Sequence, residues 1–290
     1  MGTVSRLSWL RAYIGYQPVA ELFVSLGLAD RAIGRTIFET DPPLIPGQEA
    51  EMQGIPVLST TSFPPPREEL IASGPDFLLA YFKGDYTDGV PGLATLDQLD
   101  AAGVDVYTVD CGGGIGGEES TFDTTYGALR DLGAIFGVGE RAEQVIKTMR
   151  DQIATVQEKV ADQQPVKVLI YTGGEGPLQV VGGNHIDTRS IELAGAENVL
   201  ADKTYTSVSL EAVAALDIEA FMIMPDLASF QGGQTPDISR QVQFLTTTFP
   251  NLPAVRDRRF VPHYLYTGLS PRQSLDLDGL ARQLHPAAFE

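Results

Sequence analysis

The sequence predicts an α/β fold in which two lobes are joined by one long helix. Three observations support this prediction. Short apolar runs alternate with helical patterns in the first third of the chain and again after residue 165. Between these regions the alternation stops, and two helical patterns follow one another. A stretch near residue 70 also aligns without gaps with a stretch near residue 215, which indicates that the two halves are built alike.

The first lobe is predicted from the alternation in residues 1–138. Strands are predicted in RAYIGY, IPVLS, FLLAYF and VDVYTVD, and helices in PVAELFVSLGL, REELIASG and LATLDQLDAAG. Strands that alternate with helices are typical of a parallel sheet with helical crossovers. We therefore expect a Rossmann-like lobe here.

The connection between the lobes is predicted in residues 139–162. This is the second of the two consecutive helical patterns, which together run from Thr121 to Gln164. Its apolar residues recur at steps of three and four, as expected for one buried face of a helix. They are Ala142, Val145, Ile146, Met149, Ile153, Val156 and Val160. At a rise of 1.5 Å per residue, such a helix is about 35 Å long.

The second lobe is predicted in residues 163–290, where the alternation restarts. Strands are predicted in VKVLIYTGG, AFMIM and RRFVPHYLY, and helices in DTRSIELAG, SLEAVAAL and SLDLDGLARQL. The internal repeat relates the second lobe to the first, because Glu68 aligns with Glu211 and Asp76 with Glu219. We therefore expect a second Rossmann-like lobe.

The composition limits the classes of partner. The 290 residues are 43% hydrophobic, and 20 basic side chains stand against 38 acidic ones, a formal charge of −18. Such a charge argues against binding to nucleic acid or to an anionic membrane surface. No run of 18 apolar residues exists, and MGTVSRLSWLRAYIGY does not have the pattern of a signal peptide. We expect a chain that does not insert into the membrane and from which any export signal is absent.

Enzyme motifs are weak. Gly112, Gly114 and Gly117 fit the dinucleotide pattern G-x-G-x-x-G. That fingerprint requires the loop to follow the first strand of a βαβ unit, whereas here the loop follows the fourth predicted strand and precedes helices. We expect a flexible loop and no enzyme, with a nucleotide-dependent α/β oxidoreductase as the alternative of another class.

Metal and nucleophile signals are also weak. The three histidines, His185, His263 and His285, form no H-E-x-x-H motif, so we expect no metal site and no resident cofactor. Cys111 is the single cysteine, so it cannot form an intramolecular disulfide, and we expect it to be an inert small residue. His185 precedes a predicted helix and is interpreted as a loop or capping residue.

Aromatic residues at the ends of predicted strands are more informative. Open α/β sheets bind ligands at the carboxyl ends of their strands. The aromatic residues near such ends are Tyr16, Tyr81, Tyr86, Tyr171, Tyr264 and Tyr266. Phe63 and Tyr205 precede predicted helices. Gathered at one face, these side chains would suit a flat or bulky organic ligand.

Several stretches carry a resemblance to a known family. AELFVSLGLADRAIGR has the pattern L-G-L-x-D-x-x-x-G, EELIASGPDFLLAYF has a helix before a Pro-Asp strand, and IELAGAENVLAD has the pattern A-G-x-x-N. LRDLGAIFGVGERAEQVI, LPAVRDRRFVP and LHPAAF resemble later segments of that family. From about Tyr13 to its end, the chain resembles the substrate-binding proteins of ABC importers. The class is the one with a rigid interlobe helix, which takes up ferric siderophores, haem or cobalamin.

The resemblance implies two α/β lobes around a ligand-binding cleft, the class III arrangement of periplasmic binding proteins. Resemblance to the members that bind hydroxamate siderophores implies ligand-binding roles for Tyr264, Tyr266, Tyr205 and Tyr86. The ligand-binding arginine expected before the first-lobe helix is absent, since Ser62 or Phe63 stands there. The full predicted ligand-binding set is Tyr16, Phe63, Tyr81, Lys83, Tyr86, Tyr205, His263, Tyr264 and Tyr266.

The charge pattern selects among the ligands that the resemblance implies. Tri-anionic catecholate complexes need several cationic groups. The candidate loops offer only Lys83, Arg189 and Arg272. We therefore expect a ferric siderophore of hydroxamate or mixed type. Haem, with Tyr86 or His263 as axial ligand, and cobalamin remain open alternatives.

The resemblance also implies a location outside the cytoplasm, in the periplasm or as a lipid-anchored protein at the cell surface, and a permease as partner. Family members dock on the permease through one carboxylate on each lobe. The first-lobe position aligns near Leu93, which is not acidic, so Asp88 or Asp97 would serve instead. In the second lobe the candidates are Asp226 and Asp237.

Overall fold

The computed structural model describes residues 10–37, 41, 43–61, 63–81, 83–87, 90–109, 121–183, 185–204, 206–224, 237–263 and 269–290. These residues form two compact units. The first contains the described parts of residues 1–111, together with 122–148 and 269–272. The second contains residue 121, the described parts of 149–268, and 273–290. Each unit is built around its own β-sheet, as the sequence predicts for an α/β fold with two lobes.

The sheet of the first unit has five parallel strands in the order β3-β2-β1-β4-β5. Its strands are β1 (Ala12–Ile14), β2 (Ala32–Thr36), β3 (Val57–Ser59), β4 (Phe77–Ala80) and β5 (Asp105–Thr108). Its helices are α1 (Gln17–Ser25), α2 (Glu49–Gly54), α3 (Arg67–Ala72), α4 (Leu96–Ala101) and α5 (Phe122–Phe136). The doubly wound order places the carboxyl ends of all five strands at one edge, because parallel strands share a direction.

Both faces of this sheet are covered by apolar side chains. On one face Tyr13, Leu70 and Leu78 belong to a buried cluster with Leu99. On the other, Phe136 of α5 packs edge-on against both Phe23 and Phe77, with ring centroids 5.1 Å and 5.2 Å apart. Burial on both faces explains the nearly continuous apolar sequence of β1 and β4.

Strand β2 was absent from the sequence prediction. Its sequence AIGRT has no apolar run and contains a glycine and an arginine. Gly34 is needed because a Cβ at that position would overlap the Leu58 side chain of β3. Strand β2 is therefore held by backbone hydrogen bonds to β1 and β3 and by the close packing of Leu58 on Gly34. Neither interaction produces an apolar pattern in the sequence.

The long helix predicted between the lobes is present as α6 (Gly139–Val160). Its apolar stripe is buried along the whole length, from Ala142 through Met149 to Val160. The division between the two compact units falls within it, after Thr148. At its start Ala142 packs so closely on α5 that a Cβ added to Gly133 would lie 2.9 Å from the Ala142 Cβ.

The sheet of the second unit has the order β11-β10-β6-β7-β9, with β8 paired to β6. Its strands are β6 (Val166–Gly173), β7 (Leu178–Val180), β8 (Ala196–Asn198), β9 (Thr206–Val208), β10 (Ala220–Ile223) and β11 (Phe260–Pro262). Its helices are α7 (Ile186–Leu193), α8 (Leu210–Ala214), α9 (Ser239–Thr248), α10 (Pro253–Arg256) and α11 (Arg272–Leu284), whose first residue belongs to the first unit. Strands β7 and β9 are antiparallel additions that the sequence reading missed.

The internal repeat has a structural counterpart. Strand β4 lies beside β1 in one sheet, and β10 lies beside β6 in the other. The Asp76 carboxylate accepts a 3.0 Å hydrogen bond from the Arg11 backbone N–H, and the aligned Glu219 accepts one of 2.9 Å from Lys167. The aligned acidic residues therefore anchor corresponding strands, which supports the similarity predicted between the halves.

Candidate functional site

Two tyrosines lie where the central strands of the first sheet end. Tyr16 follows β1 and is the N-cap residue of α1, and Tyr81 follows β4. Their rings meet edge to face at a centroid distance of 6.2 Å and an angle of 85°. Both side chains are buried, so they form a rigid aromatic floor at the carboxyl edge of the sheet.

A carboxylate sits against this aromatic floor. Asp85 belongs to a short 3-10 helix, Lys83–Tyr86, that follows β4. The Tyr16 hydroxyl donates a 2.7 Å hydrogen bond to Asp85 Oδ2. Partial burial raises the pKa of the Asp85 carboxyl above its usual value, and the Tyr16 hydrogen bond opposes that rise. The neighbouring Lys83 side chain is exposed.

Tyr86 occupies a different environment from the one expected of a ligand-binding residue. Its side chain is 1% exposed and packs in the cluster that contains Tyr13 and Leu78. Among the described residues its hydroxyl has no hydrogen-bond partner. Burial raises the pKa of this phenol well above its usual value. Tyr86 therefore contributes to the core of the first unit in this structure.

Phe63 is the exposed member of the predicted set. Its side chain is 50% exposed, and its carbonyl accepts a 2.8 Å hydrogen bond from Ser59 Oγ at the end of β3. This bond fixes the backbone just beyond the carboxyl end of β3. Ser62, the other residue at the position of the missing arginine, lies outside the described residues.

The carboxyl edge of the second sheet carries a cluster of two histidines and one aspartate. His263 follows β11, Asp187 lies in the first turn of α7, and His185 is the N-cap residue of α7. His263 Nε2 lies 3.0 Å from Asp187 Oδ1, and His185 Nδ1 lies 3.1 Å from Asp187 Oδ2. In the neutral ring, His185 Nδ1 accepts a 3.3 Å hydrogen bond from the Asp187 backbone N–H, and Asp187 Oδ2 has no hydrogen-bond partner among the described residues. Only a protonated His185 ring pairs with Oδ2 through Nδ1.

Electrostatic coupling holds this cluster together. Burial would raise the pKa of Asp187, but the charges and hydrogen bonds of His185 and His263 lower it far below its usual value. Burial opposes protonation of His185, yet the Asp187 carboxylate raises the pKa of that imidazole. The capping role expected of His185 is confirmed. Asp187 carried no signal in the sequence, because His263 lies 76 residues away along the chain.

Other predicted residues are engaged elsewhere or lie outside the described ranges. Tyr171 is buried and donates a 2.8 Å hydrogen bond to the Gly174 carbonyl. Asp97 is exposed in the first turn of α4, whereas Asp237 accepts a 2.9 Å bond from the Ser239 backbone N–H. Five further predicted residues and the glycine loop lie outside the described residues: Tyr205, Tyr264, Tyr266, Asp88, Asp226, and Gly112, Gly114 and Gly117 with Cys111.

Two of the three cations expected near the ligand are paired. Arg189 Nη1 lies 2.6 Å from Glu192 Oε2. Arg272 forms a buried ion pair with Glu21 and donates a 2.6 Å hydrogen bond to the Pro43 carbonyl. Lys83 is exposed and is in no ion pair with any described residue.

The described part of the chain has neither a metal-binding cluster nor a membrane-spanning helix. Within these ranges, no group of three or more His, Cys, Asp or Glu side chains is arranged to hold a metal ion. None of the helices described is both long enough and apolar enough to cross a bilayer.

Curated relatives align with much of the chain at low identity. An ABC transporter substrate-binding lipoprotein of Bacillus subtilis (strain 168) is 22% identical over 276 residues, 93% of this chain and 78% of the relative. A vitamin B12-binding protein of Yersinia pestis (strain Pestoides F) is 26% identical over 184 residues, 63% of this chain and 57% of the relative. The match therefore spans little more than half the length of the Yersinia protein.

Solved structures share the fold. A periplasmic binding protein from Veillonella parvula superposes with a TM-score of 0.81 at 22% identity, covering 96% of this chain and 92% of the other. A protein of an ABC-type Fe3+-hydroxamate transport system from Saccharomonospora viridis gives 0.69 at 23%, covering 97% and 93%. A periplasmic haem-binding protein from Pseudomonas aeruginosa gives 0.70 at 24%, covering 96% and 94%.

The fold and the comparisons together indicate the class: two α/β units with a long helix between their sheets in the sequence are the fold of periplasmic binding proteins, which are transport receptors and not enzymes. The family description "Periplasmic binding protein" matches residues 14–262, and the chain belongs to this family. The resemblance stated from the sequence motifs is confirmed, and so is the class III fold. The oxidoreductase alternative is wrong.

Proposed function

We propose that this protein is the extracytoplasmic receptor of an ABC importer and that its ligand is a ferric siderophore of hydroxamate or mixed type. The observation that carries the choice of ligand is the scarcity of free cations at the described strand ends. Arg189 and Arg272 neutralise carboxylates of the protein itself, which leaves Lys83. A tri-anionic complex would lose its hydration there without adequate compensation.

The aromatic floor of the first unit supports the same ligand class. Tyr16 and Tyr81 form a buried, rigid pair of rings beneath the carboxyl edge of the sheet, and this edge carries a single half-buried carboxylate, Asp85. A bulky chelate whose iron charge is cancelled by its own oxygens needs few charged partners at such an edge. The printed description of the Saccharomonospora structure, which names Fe3+-hydroxamate transport, agrees with this proposal.

Haem is the second candidate, and the geometry of His263 favours it. Metal-ligating histidines commonly donate one ring N–H to a carboxylate, which fixes the ring and its tautomer. With Nε2 of His263 directed at Asp187, Nδ1 is the nitrogen left for a metal. Cobalamin is a third possibility, supported by the name of the Yersinia relative.

A titration distinguishes the candidates. The purified protein is titrated with ferrioxamine B, haem and cobalamin while its tyrosine fluorescence is followed. Saturable quenching by ferrioxamine B at sub-micromolar concentration is the expected result. Quenching by haem or cobalamin with no response to ferrioxamine B would overturn the choice of ligand. A His263→Gln variant that loses haem binding alone would then assign the haem site.

The internal repeat suggests where the permease docks. Glu68 and Glu211 are aligned in the repeat, lie in the first turns of α3 and α8, and are exposed. Asp237 is exposed, and its carboxylate accepts a hydrogen bond from the Ser239 backbone N–H; it lies outside the aligned repeat. We propose Glu68 and Glu211 as the pair of docking carboxylates, in place of the predicted aspartates.

Docking is tested by uptake. Glu68→Gln and Glu211→Gln should each reduce transport of the ligand in cells while leaving binding by the purified protein unchanged. Asp97→Asn, on the exposed face of α4, is the matched control. Unchanged transport in the double variant would contradict the assignment.

A further inference from the structure

Among the described residues, half-buried Asp85 differs from the two buried acids Glu21 and Asp187 in lacking a cationic partner. Glu21 is paired with Arg272, and Asp187 is bracketed by two histidines. Asp85 receives one neutral hydrogen bond, from Tyr16, and forms no ion pair with any residue in the described ranges. A carboxylate that is partly desolvated without a positive partner is costly to the folded protein.

The position of Asp85 offers a functional reason for keeping a partly desolvated carboxylate there. Asp85 lies directly after β4, one of the two inner strands whose carboxyl ends carry the aromatic floor. Ligands of open α/β sheets bind at this edge. The Tyr16 hydroxyl fixes the carboxylate at 2.7 Å, so Asp85 is directed before any ligand arrives.

The buried Arg35 of the same unit contrasts with Asp85, because it lies near an opposite charge. Arg35 in β2 is buried, and the nearby negative charge of Asp41 partly offsets the effect of burial on its pKa. Arg35 and Arg272 of this unit thus lie near carboxylates of the chain, whereas Asp85 is in no ion pair with any described residue. The formal charge of −18 over the whole chain adds an attraction for cations.

We propose that Asp85 is the counter-ion for a positively charged group of the ligand, so that this receptor selects cationic iron chelates over neutral and anionic ones. Tyr16 is a positioning residue that directs the carboxylate. This inference rests on the proposed function and adds the sign of charge that the receptor prefers. An ammonium or guanidinium on the ligand would lie within reach of Asp85.

Two iron complexes that differ in one charge test the proposal. Ferrioxamine B is a ferric trihydroxamate with a terminal ammonium, and its N-acetylated form has the same iron coordination without that ammonium. Isothermal titration calorimetry on the unchanged protein should show about ten-fold tighter binding of the ammonium form, the factor that corresponds to about 1.4 kcal/mol. The preference should fall as salt is added, because salt screens charges.

Variants then assign the preference to Asp85. Asp85→Asn should bring the two affinities together by weakening the ammonium form alone. Asp105→Asn is the matched control, because it removes one exposed carboxylate at the amino end of β5 and should keep the preference. Tyr16→Phe keeps the aromatic ring and should reduce the preference, whereas a merely structural role of the hydroxyl would lower both affinities by the same factor.

The outcomes are distinct. Equal affinities for the two complexes on the unchanged protein, or a preference that survives in Asp85→Asn, would overturn the role of Asp85 and leave the proposed function intact. Binding of neither complex would overturn the proposed function and this inference with it. Thermal melts of each variant establish that the fold is retained.

Discussion

The cluster of His185, Asp187 and His263 makes a quantitative prediction about stability and pH. Replacing Asp187 with Asn keeps the volume of the side chain but removes its charge, and one buried ring nitrogen loses its acceptor. An unsatisfied buried polar group costs about 1–3 kcal/mol, and removal of one partner of a buried ion pair costs about 3–5 kcal/mol. We expect Asp187→Asn to lower the free energy of unfolding by about 3 kcal/mol when His185 is charged.

The sign of the pH dependence follows from the two pKa shifts. The folded-state pKa of Asp187 is lowered from 3.8, so its contribution is present above that value and is lost as pH falls through the lowered pKa. The folded-state pKa of His185 is raised from 6.5, so its contribution is present below 6.5 and is lost as pH rises through the raised pKa. Both contributions are complete between these two ordinary values.

Urea unfolding followed by far-UV circular dichroism measures the effect. At pH 5.5 the variant should be destabilised by the full amount, about 3 kcal/mol. A thermal melt should show the same loss as a fall of about 10 °C in melting temperature for a unit of this size. At pH 9 the difference should shrink to about 1 kcal/mol, the cost of the lost hydrogen bond alone. Asp162→Asn, an exposed carboxylate in the same unit, is the control and should leave stability unchanged. A variant equally destabilised at both pH values would refute the coupling.

Three further substitutions have defined outcomes. Glu21→Gln should lower the free energy of unfolding by about 3–5 kcal/mol in chemical denaturation, because it leaves Arg272 buried without its partner. Gly34→Ala should cost about 1–3 kcal/mol in the same assay, because the new methyl group overlaps Leu58. Asp85→Asn should raise the melting temperature at pH 7, because burial raises the pKa of that carboxyl and the charged form therefore destabilises the folded state.

Controls separate these effects from general disruption. Arg272→Met in the Glu21→Gln background should recover part of the lost stability, since a buried ion pair can be replaced by apolar groups. Gly54→Ala should be tolerated, because a Cβ there meets no atom within 4 Å. A melting temperature for Asp85→Asn that falls at pH 7 would contradict the reasoning about its desolvation.

The sequence predicted the elements whose burial leaves a periodic pattern. Strands β1, β4, β6 and β10 are short apolar runs, and α6 shows its stripe at steps of three and four, so these elements were found. Strand β2 was missed because its place in the sheet depends on Gly34, which leaves room for the Leu58 side chain. A contact of this kind produces no periodic pattern in the sequence. Helix α9 was also absent from the prediction.

The candidate site was less predictable than the fold. Tyr16 and Tyr81 were found from their positions after strands, and the structure brings their rings together. Asp85 and Asp187 were not found, because an acidic residue in a loop has no distinctive pattern and its importance depends on partners distant in sequence. In the cluster of His185, Asp187 and His263, Asp187 and His263 are 76 positions apart in the sequence, and only folding of the sheet brings them into contact.

The ion pair between Glu21 and Arg272 sets an order for folding. Its members are 251 residues apart, yet both belong to the first unit, and Ser270 Oγ donates a 2.7 Å bond to the same carboxylate. During synthesis from the N-terminus, helix α1 emerges long before the segment that neutralises its buried acid. The first unit therefore completes its interior only when nearly the whole chain has left the ribosome. Until the segment that contains Arg272 is present, the Glu21 carboxylate lacks the cation that neutralises it. Truncation before residue 269 should therefore leave the first unit incompletely folded.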